Sequence, residues 1–312
     1  MLRYGILSTS SIAPRFIDAV RTAGAGEAVA LSSRSLQKAE ELAKLWNIPK
    51  AYGSHDDLLD DPEVDIVYIS TVNSQHYPWA KAALLKGKHV VCEKPCTTSS
   101  EQTQELFALA REKGLFLMEA EKMFFLPAVL ALRSRIADGL LGDVYMAQMS
   151  HSFPATYNDW MFDPEAGGGP LLSSGIYAVH LMIYLFGGIK SIRGTKSALE
   201  NGVEWQYILS GETDTGVLFT AQNSTRVTLD NTCRIYGTKG WAELPQYWKA
   251  QKVIFHIDGK EQVFDFSFRN EMVYEAEHIA ICLENDHRSS HIVTEGISVK
   301  GIEALEKVKE NW

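Results

Sequence analysis

The sequence predicts an α/β chain. Residues 1–120 are expected to form a Rossmann-like, doubly wound parallel sheet, and residues 121–312 an α+β domain with a large, mostly antiparallel sheet. Three observations carry this expectation. Through the first 120 residues, short apolar runs alternate with stretches of helical periodicity, the rhythm of repeated βα units. One of those runs, Ile66-Val67-Tyr68-Ile69 after Asp65, is continuously apolar, as a strand covered on both faces requires. Beyond residue 120, strand-like segments succeed one another without helices between them.

The elements follow in order. Leu2–Leu7 reads as the first strand, and Ile12, Phe16, Ile17 and Val20 mark one face of the helix after it. Ala28–Leu31 is a second strand, and Ser35 is placed to cap a helix that reaches Trp46. Asp65–Ile69, His89–Cys92 and Leu115–Met118 read as further strands, with helices over Trp79–Lys86 and Ser100–Lys113. Right-handed crossovers would join them into one parallel sheet. In the second domain a helix over Pro127–Gly139 precedes strands at Val144–Met149, Glu204–Ser210, Gly216–Gln222, Val227–Tyr236 and Val253–Ile257. Asp258-Gly259 is a hairpin turn by composition. Helices over Met272–Glu284 and Glu295–Lys309 close the chain, the last expected to pack back on the first domain.

Composition narrows the function classes. With 46% hydrophobic and 22% charged residues in a 34.8 kDa chain, neither disorder nor low complexity is expected. A net charge of −9 argues against a broad nucleic-acid surface, though not against a local pocket for one phosphate. The four cysteines include no CxxC pair, so neither a disulfide framework nor zinc is expected. His278 and Cys282 stand one helical turn apart, but Ile279, Ile281 and Leu283 around them suggest core packing rather than a metal pair. The most apolar stretch, Ala178–Phe186, is too short for the ~20 residues that a bilayer needs. The first strand begins almost at once, without a leader, so a cytoplasmic protein with reduced thiols is expected, with no membrane partner.

The loop between the first strand and helix, Ser8-Thr9-Ser10-Ser11-Ile12-Ala13, stands where a dinucleotide-binding GxGxxG/A turn belongs. Ser8 and Ser10 take the first two glycine positions and Ala13 fits the third. Serine keeps the loop small and adds hydroxyl donors for phosphate, but loses glycine's easy access to positive φ. A serine-capped turn without ligand fits the same residues. After the second strand, where an NAD site carries an acid for the ribose hydroxyls, the chain has Ser32-Ser33-Arg34-Ser35 and then Lys38. Ser33, Arg34 and Lys38 suit a ribose 2′-phosphate, so NADP(H) is expected ahead of NAD(H).

Two further segments complete a pattern. Glu93-Lys94-Pro95 ends the strand His89–Cys92, and Gly167-Gly168-Gly169-Pro170-Leu171-Leu172-Ser173-Ser174-Gly175-Ile176-Tyr177 opens a helix in the second domain. Pro49–Ser54, His76, Phe116–Ala120 and Phe162–Glu165 add to it. Together these segments resemble the glucose–fructose oxidoreductase, inositol dehydrogenase and MocA (Gfo/Idh/MocA) family over essentially the whole chain. Within that family the dimeric dihydrodiol dehydrogenase branch is the nearest in pattern.

The resemblance implies a nicotinamide-dependent oxidoreductase acting on a sugar, polyol or cyclic diol. Lys94 matches the family's active-site lysine, and Tyr177 falls where relatives carry a proton-donating tyrosine or histidine. Oxidising a carbinol removes a proton from oxygen while hydride leaves carbon. A phenol of intrinsic pKa ~10 is a poor base unless an ammonium stabilises its phenolate. Tyr177 is therefore expected as acid/base and Lys94 as its electrostatic partner.

The cofactor is expected to meet Ser8, Thr9, Ser10, Ser11 and Ile12 at its phosphates, with Thr71, Asn73, His76, Glu93 and Lys94 towards the nicotinamide. Glu119 would hydrogen-bond near Lys94. Trp160, Phe162, Ser173, Tyr177 and His180 are the substrate-side candidates, with packing as the alternative for His180; Phe153 and Tyr157 could wall the same pocket. Ser173, Trp160 and Phe124 replace polar residues that many relatives carry, so a non-catalytic nucleotide-binding or scaffold protein is the alternative. A homodimer through the second-domain sheet is also implied.

Overall fold

The computed structural model describes residues 1–155 and 159–312, and these fall into two compact units. The first comprises Met1–Glu121 and Asn270–Ser298, the second Lys122–Arg269 and Val299–Trp312.

The first unit is built on a six-stranded parallel sheet in the order β3-β2-β1-β4-β5-β6. Its strands are β1 (Arg3–Leu7), β2 (Glu27–Ser32), β3 (Lys50–Tyr52), β4 (Ile66–Ile69), β5 (His89–Glu93) and β6 (Leu117–Ala120). The connecting helices are α1 (Ala13–Thr22), α2 (Leu36–Leu45), α3 (His55–Asp60), α4 (His76–Leu85) and α5 (Ser100–Lys113). All four residues of β4 are fully buried, as its unbroken apolar run requires. Phe16 of α1 stacks flat on Tyr68 of β4, their ring centroids 3.7 Å apart, which fixes how α1 sits on the sheet.

Gly114 ends α5 in the left-handed conformation, and the Leu115 N–H turns back to the Ala110 carbonyl. The strand after it therefore starts at Leu117, two residues later than the apolar run suggests. A single tight turn, Asn73–Gln75, feeds straight into α4, so this helix begins at His76 rather than Trp79. Helix α8 (Val273–Glu284) joins this unit by packing on α1. Just before it, the Asn270 amide donates to the Arg15 carbonyl (2.9 Å) and to Asp18 (2.8 Å), and Glu271 pairs with Arg15.

The second unit holds an eight-stranded sheet in the order β14-β13-β12-β11-β7-β10-β9-β8. Its strands are β7 (Val144–Ser152), β8 (Ile189–Ala198), β9 (Glu204–Thr213), β10 (Leu218–Ser224), β11 (Thr232–Gly237), β12 (Gly240–Pro245), β13 (Lys252–Ile257) and β14 (Lys260–Asp265). Only the β7–β10 pairing is parallel. Asp258 and Gly259 both take positive φ (52° and 71°) in the two-residue turn from β13 to β14, as that hairpin geometry demands. The expected strand Val227–Tyr236 is shortened to β11, because Asn231 adopts φ 54° and breaks the extension before it.

Helices α6 (Pro127–Ala137) and α7 (Ile176–Phe186) cover one face of this sheet; α9 (Glu295–Glu310) crosses the division between the units at Ser298. The opposite face carries Met146, Ile208, Leu218 and Val263, each 45–59% exposed.

Candidate active site

In the first unit, β1 delivers its chain end into the expected phosphate loop. Ser8 adopts φ 114°, a conformation that glycine takes freely and an L-residue takes at a cost of about 1–3 kcal/mol. The loop therefore keeps the backbone course of a glycine turn although the glycine is missing. The Ser8 N–H donates to the Ser32 carbonyl (3.3 Å), and the Ser10 hydroxyl donates to the Ser70 hydroxyl (2.8 Å), tying the turn to the ends of β2 and β4. Ala13 is fully buried where the third small residue belongs. Helix α1 then starts with proline in its first turn, no side-chain cap and no acidic residue. The positive dipole end of α1 faces the Ser8–Ile12 turn, which favours an anion there, although Pro14 has no N–H and the Ala13 and Arg15 N–H groups already donate to the Ser10 and Ile12 carbonyls. Thr9, Ser11 and Ile12 line the turn and stay at least partly accessible.

Arg34 is exposed just past β2. The buried Ser33 hydroxyl accepts from the Ser35 N–H (3.4 Å), and the Ser35 hydroxyl in turn caps α2 at the Lys38 N–H (3.4 Å). Behind Arg34, burial lowers the His55 pKa and the guanidinium charge lowers it further.

The Lys94 turn is braced from both sides. Glu93 accepts a 2.6 Å bond from the Tyr68 hydroxyl, and the buried Glu119 carboxylate accepts from the Cys96 N–H (2.9 Å). His76 Nδ1 lies 2.7 Å from the Pro95 carbonyl, while its Nε2 lies 3.2 Å from the Thr71 carbonyl. Burial depresses the His76 pKa, and a protonated ring nitrogen can donate to either of these two carbonyls. The imidazole thus pins the backbone next to Lys94, which is half-buried. Nearby, the Thr71 hydroxyl is buried with no hydrogen-bond partner among the described residues, and Asn73 is buried. An orphaned hydroxyl, a glycine-like turn and an uncapped helix start fit a dinucleotide with its phosphates on the turn.

In the second unit the glycine run is a structural device for placing Tyr177. Gly169 has φ 109° and donates from its N–H to the Met161 carbonyl (2.6 Å); a Cβ at Gly168 would stand 2.5 Å from that same oxygen. The buried Glu204 carboxylate accepts from the Leu171 N–H (2.7 Å), and burial raises its pKa. Leu171–Gly175 forms one π-helical turn, and Tyr177 is the second residue of α7. The Ser173 hydroxyl donates to the Gly169 carbonyl (2.9 Å), so it is engaged within this turn.

The Lys122 ammonium reaches Tyr177. Its Nζ donates to the phenol oxygen at 3.1 Å and sits 5.4 Å from the ring centroid, with both side chains buried. An ammonium has no acceptor, so the phenol must direct its own hydrogen to a different group. Sequence reasoning missed Lys122. Its one signal was a cation opening the otherwise apolar run Met123-Phe124-Phe125-Leu126, since a buried charge needs a partner.

The other candidates separate. Phe162 is buried and its carbonyl accepts from the Asn201 amide (2.8 Å), while Trp160 is 37% exposed. Tyr157 lies outside the described residues. His180 is fully buried against α9, where a Cβ at Gly301 would stand 2.3 Å from its Nε2, and against Phe124, which itself stacks on Tyr184. Those surroundings close His180 off from solvent.

Comparison with known proteins follows the two-part architecture. Residues 2–121 match a family model described as an oxidoreductase family with an NAD-binding Rossmann fold, and residues 129–243 match the GFO/IDH/MocA C-terminal domain. Across 99% of this chain and 96% of the relative, the sequence is 34% identical to trans-1,2-dihydrobenzene-1,2-diol dehydrogenase of Mus musculus. The chain belongs to the Gfo/Idh/MocA oxidoreductase family.

Solved structures agree with this family's fold. A levoglucosan dehydrogenase complexed with NADH and levoglucosan superposes with a TM-score of 0.90 at 16% identity, over 99% of this chain and 96% of that one. A 3-ketoreductase from Actinomadura kijaniata complexed with NADP superposes with a TM-score of 0.92 at 22% identity, over 99% and 97%. Among the described residues of this family member, no helix is long and apolar enough to cross a membrane.

Proposed function

We propose that this chain transfers hydride between a nicotinamide cofactor, NADP(H) in preference to NAD(H), and a secondary alcohol or carbonyl of a cyclic diol, sugar or polyol. One observation supports it above the rest: the buried Lys122 ammonium donating to the Tyr177 phenol oxygen at 3.1 Å. Tyr177 is the proposed acid/base. In the reducing direction its hydroxyl gives a proton to the carbonyl oxygen, and in oxidation the phenolate takes one from the carbinol. Negative charge on the phenol oxygen is then met by Lys122 in a site from which water is largely excluded. Lys94 is proposed as a second cation, for the substrate oxygen, on the family resemblance.

The cofactor, when bound, supplies hydride donation and acceptance at its nicotinamide C4. This chain would hold it through Ser8–Ile12 and the start of α1, through Thr71, Asn73 and the His76-braced Lys94 turn, and through Ser33, Arg34 and Lys38 at the ribose. Arg34 carries the preference for a 2′-phosphate, since its exposed guanidinium stands where an NAD site would carry an acid. The substrate class rests on the dihydrodiol dehydrogenase relatives, with Trp160 and Phe162 as candidate walls.

We infer a homodimer through the open face of the β7–β14 sheet, where exposed Met146, Ile208 and Leu218 would gain cover; light scattering should give twice the 34.8 kDa chain mass, and a monomer would remove this inference. The reading as a whole is tested by titrating the protein with NADPH and NADH by fluorescence, then screening diols and sugars for turnover with the parent and Tyr177→Phe. Saturable NADPH binding with turnover lost in the variant supports it. Binding without turnover by the parent across the panel would favour the non-catalytic alternative.

A further inference from the structure

Helix α8 and the segment after it bring together three side chains that the oxidoreductase reading does not use. His278 and Cys282 lie one turn apart on the same face of α8, with His278 Nε2 3.3 Å from Cys282 Sγ. After the helix the Asp286 backbone turns through φ 59°, and the chain returns along β6, where Ser289 pairs with Leu117. That return sets the His291 ring beside His278, their centroids 4.9 Å apart. One donor atom from each of His278, Cys282 and His291 then lies within 4.8 Å of the other two.

Ligands at about 2.0–2.3 Å around one tetrahedral ion stand roughly 3.3–3.8 Å apart, so the His278–Cys282 pair already has that spacing and a small side-chain rotation would bring in His291. The spacing of His278 and Cys282 alone could not reveal the third donor. Ile281, which suggested a core helix face, is in fact 52% exposed, while His278 and Cys282 are buried. We propose that His278, Cys282 and His291 form a site for one thiophilic divalent transition ion of the zinc or cobalt class, with solvent completing the coordination.

The surroundings suit such an ion. The site is closed at its base by the buried Cys282 and open at its rim, where His291 and His287 are exposed, so an ion can enter from solvent. The mixed nitrogen and sulfur donor set selects against magnesium and calcium, which demand oxygen. The backbone that carries His291 is anchored, because the Ser290 hydroxyl accepts from the Ile292 and Val293 N–H groups at 3.0 and 2.9 Å. Burial holds the His278 imidazole at a pKa of about 4, so it offers an unprotonated nitrogen near neutral pH.

Burial also raises the Cys282 thiol pKa, so binding breaks its S–H bond, forms a sulfur–metal bond and releases one proton to solvent. The Ser290 hydroxyl, 2.8 Å from His278 Nε2, must give up that contact as the ion takes the nitrogen. The site would fasten α8 to the return segment, which is a structural rather than a catalytic role.

Cobalt(II) tests this directly on the full-length, chelator-treated protein. The expected result is one Co2+ per chain, visible as tetrahedral d–d bands with a thiolate charge-transfer band, and about one proton released per ion by calorimetry in buffers of different ionisation enthalpy. Cys282→Ser should abolish the charge-transfer band. His291→Ala, at an exposed position that the fold tolerates, should weaken binding at least tenfold. Absence of a one-to-one complex in the parent would overturn the proposal. So would a complex that keeps its spectrum and affinity in both variants.

Discussion

The two units hold their candidate residues by different means. In the first, the candidate cofactor-side groups lie on short loops at the ends of parallel strands, and each loop is braced mainly by near neighbours in the sheet: Ser10 by Ser70, Glu93 by Tyr68, Lys94 through His76 and Pro95. In the second, Tyr177 depends on side chains that pack over its helix. Lys122 reaches it from 55 residues away, and Glu204 fixes the start of its helix from 33 residues beyond Leu171. A parallel sheet converts strand order into a binding edge, so its site is written in local motifs. The Gly167–Tyr177 run marks where Tyr177 sits, but no local motif records that Lys122 packs against it.

This contrast can be broken or sharpened by substitution. The largest effect is expected at Tyr177, where Tyr177→Phe should lower kcat about 10²–10⁴-fold by removing the proton donor, with NADPH affinity unchanged in a fluorescence titration. Lys122→Met should lower kcat about 10–100-fold, the loss of one charge-assisted hydrogen bond, while circular dichroism shows the fold retained. In the first unit, Arg34→Ala should raise the NADPH Kd about tenfold and leave the NADH Kd unchanged. Equal weakening of both would remove the 2′-phosphate assignment. The smallest effect is expected at Ser8, where Ser8→Gly relieves the positive φ and should stabilise the protein by about 1 kcal/mol in urea unfolding.

Much of the first unit was legible in the sequence because its signals are local. Ser35 caps α2 at the Lys38 N–H, and α5 spans Ser100–Lys113 because Gly114 can adopt the left-handed stop. The family pattern added Lys94 and Tyr177, which neither spacing nor periodicity would have singled out. What escaped notice has physical reasons. Strand β8, Ile189–Ala198, is an edge strand in which Ile192 alone is buried, so it lacks an apolar alternation. Strand β12 was absorbed into no expected element, and the β11 boundary turned on the backbone of Asn231, where side-chain type gives little warning. A motif match failed at Ser8 although the backbone there takes the glycine-like course, because the match reads residue type and the structure shows φ.

Lys122 and Tyr177 are proposed to act as one proton-handling unit, and a double-mutant cycle on kcat measures this most directly. If Lys122 works through the phenol, Lys122→Met should cost about 10–100-fold in the parent and almost nothing once Tyr177 is already phenylalanine. If the two losses multiply instead, so that the double variant falls by the product of the single effects, Lys122 acts independently of Tyr177 and the account is contradicted.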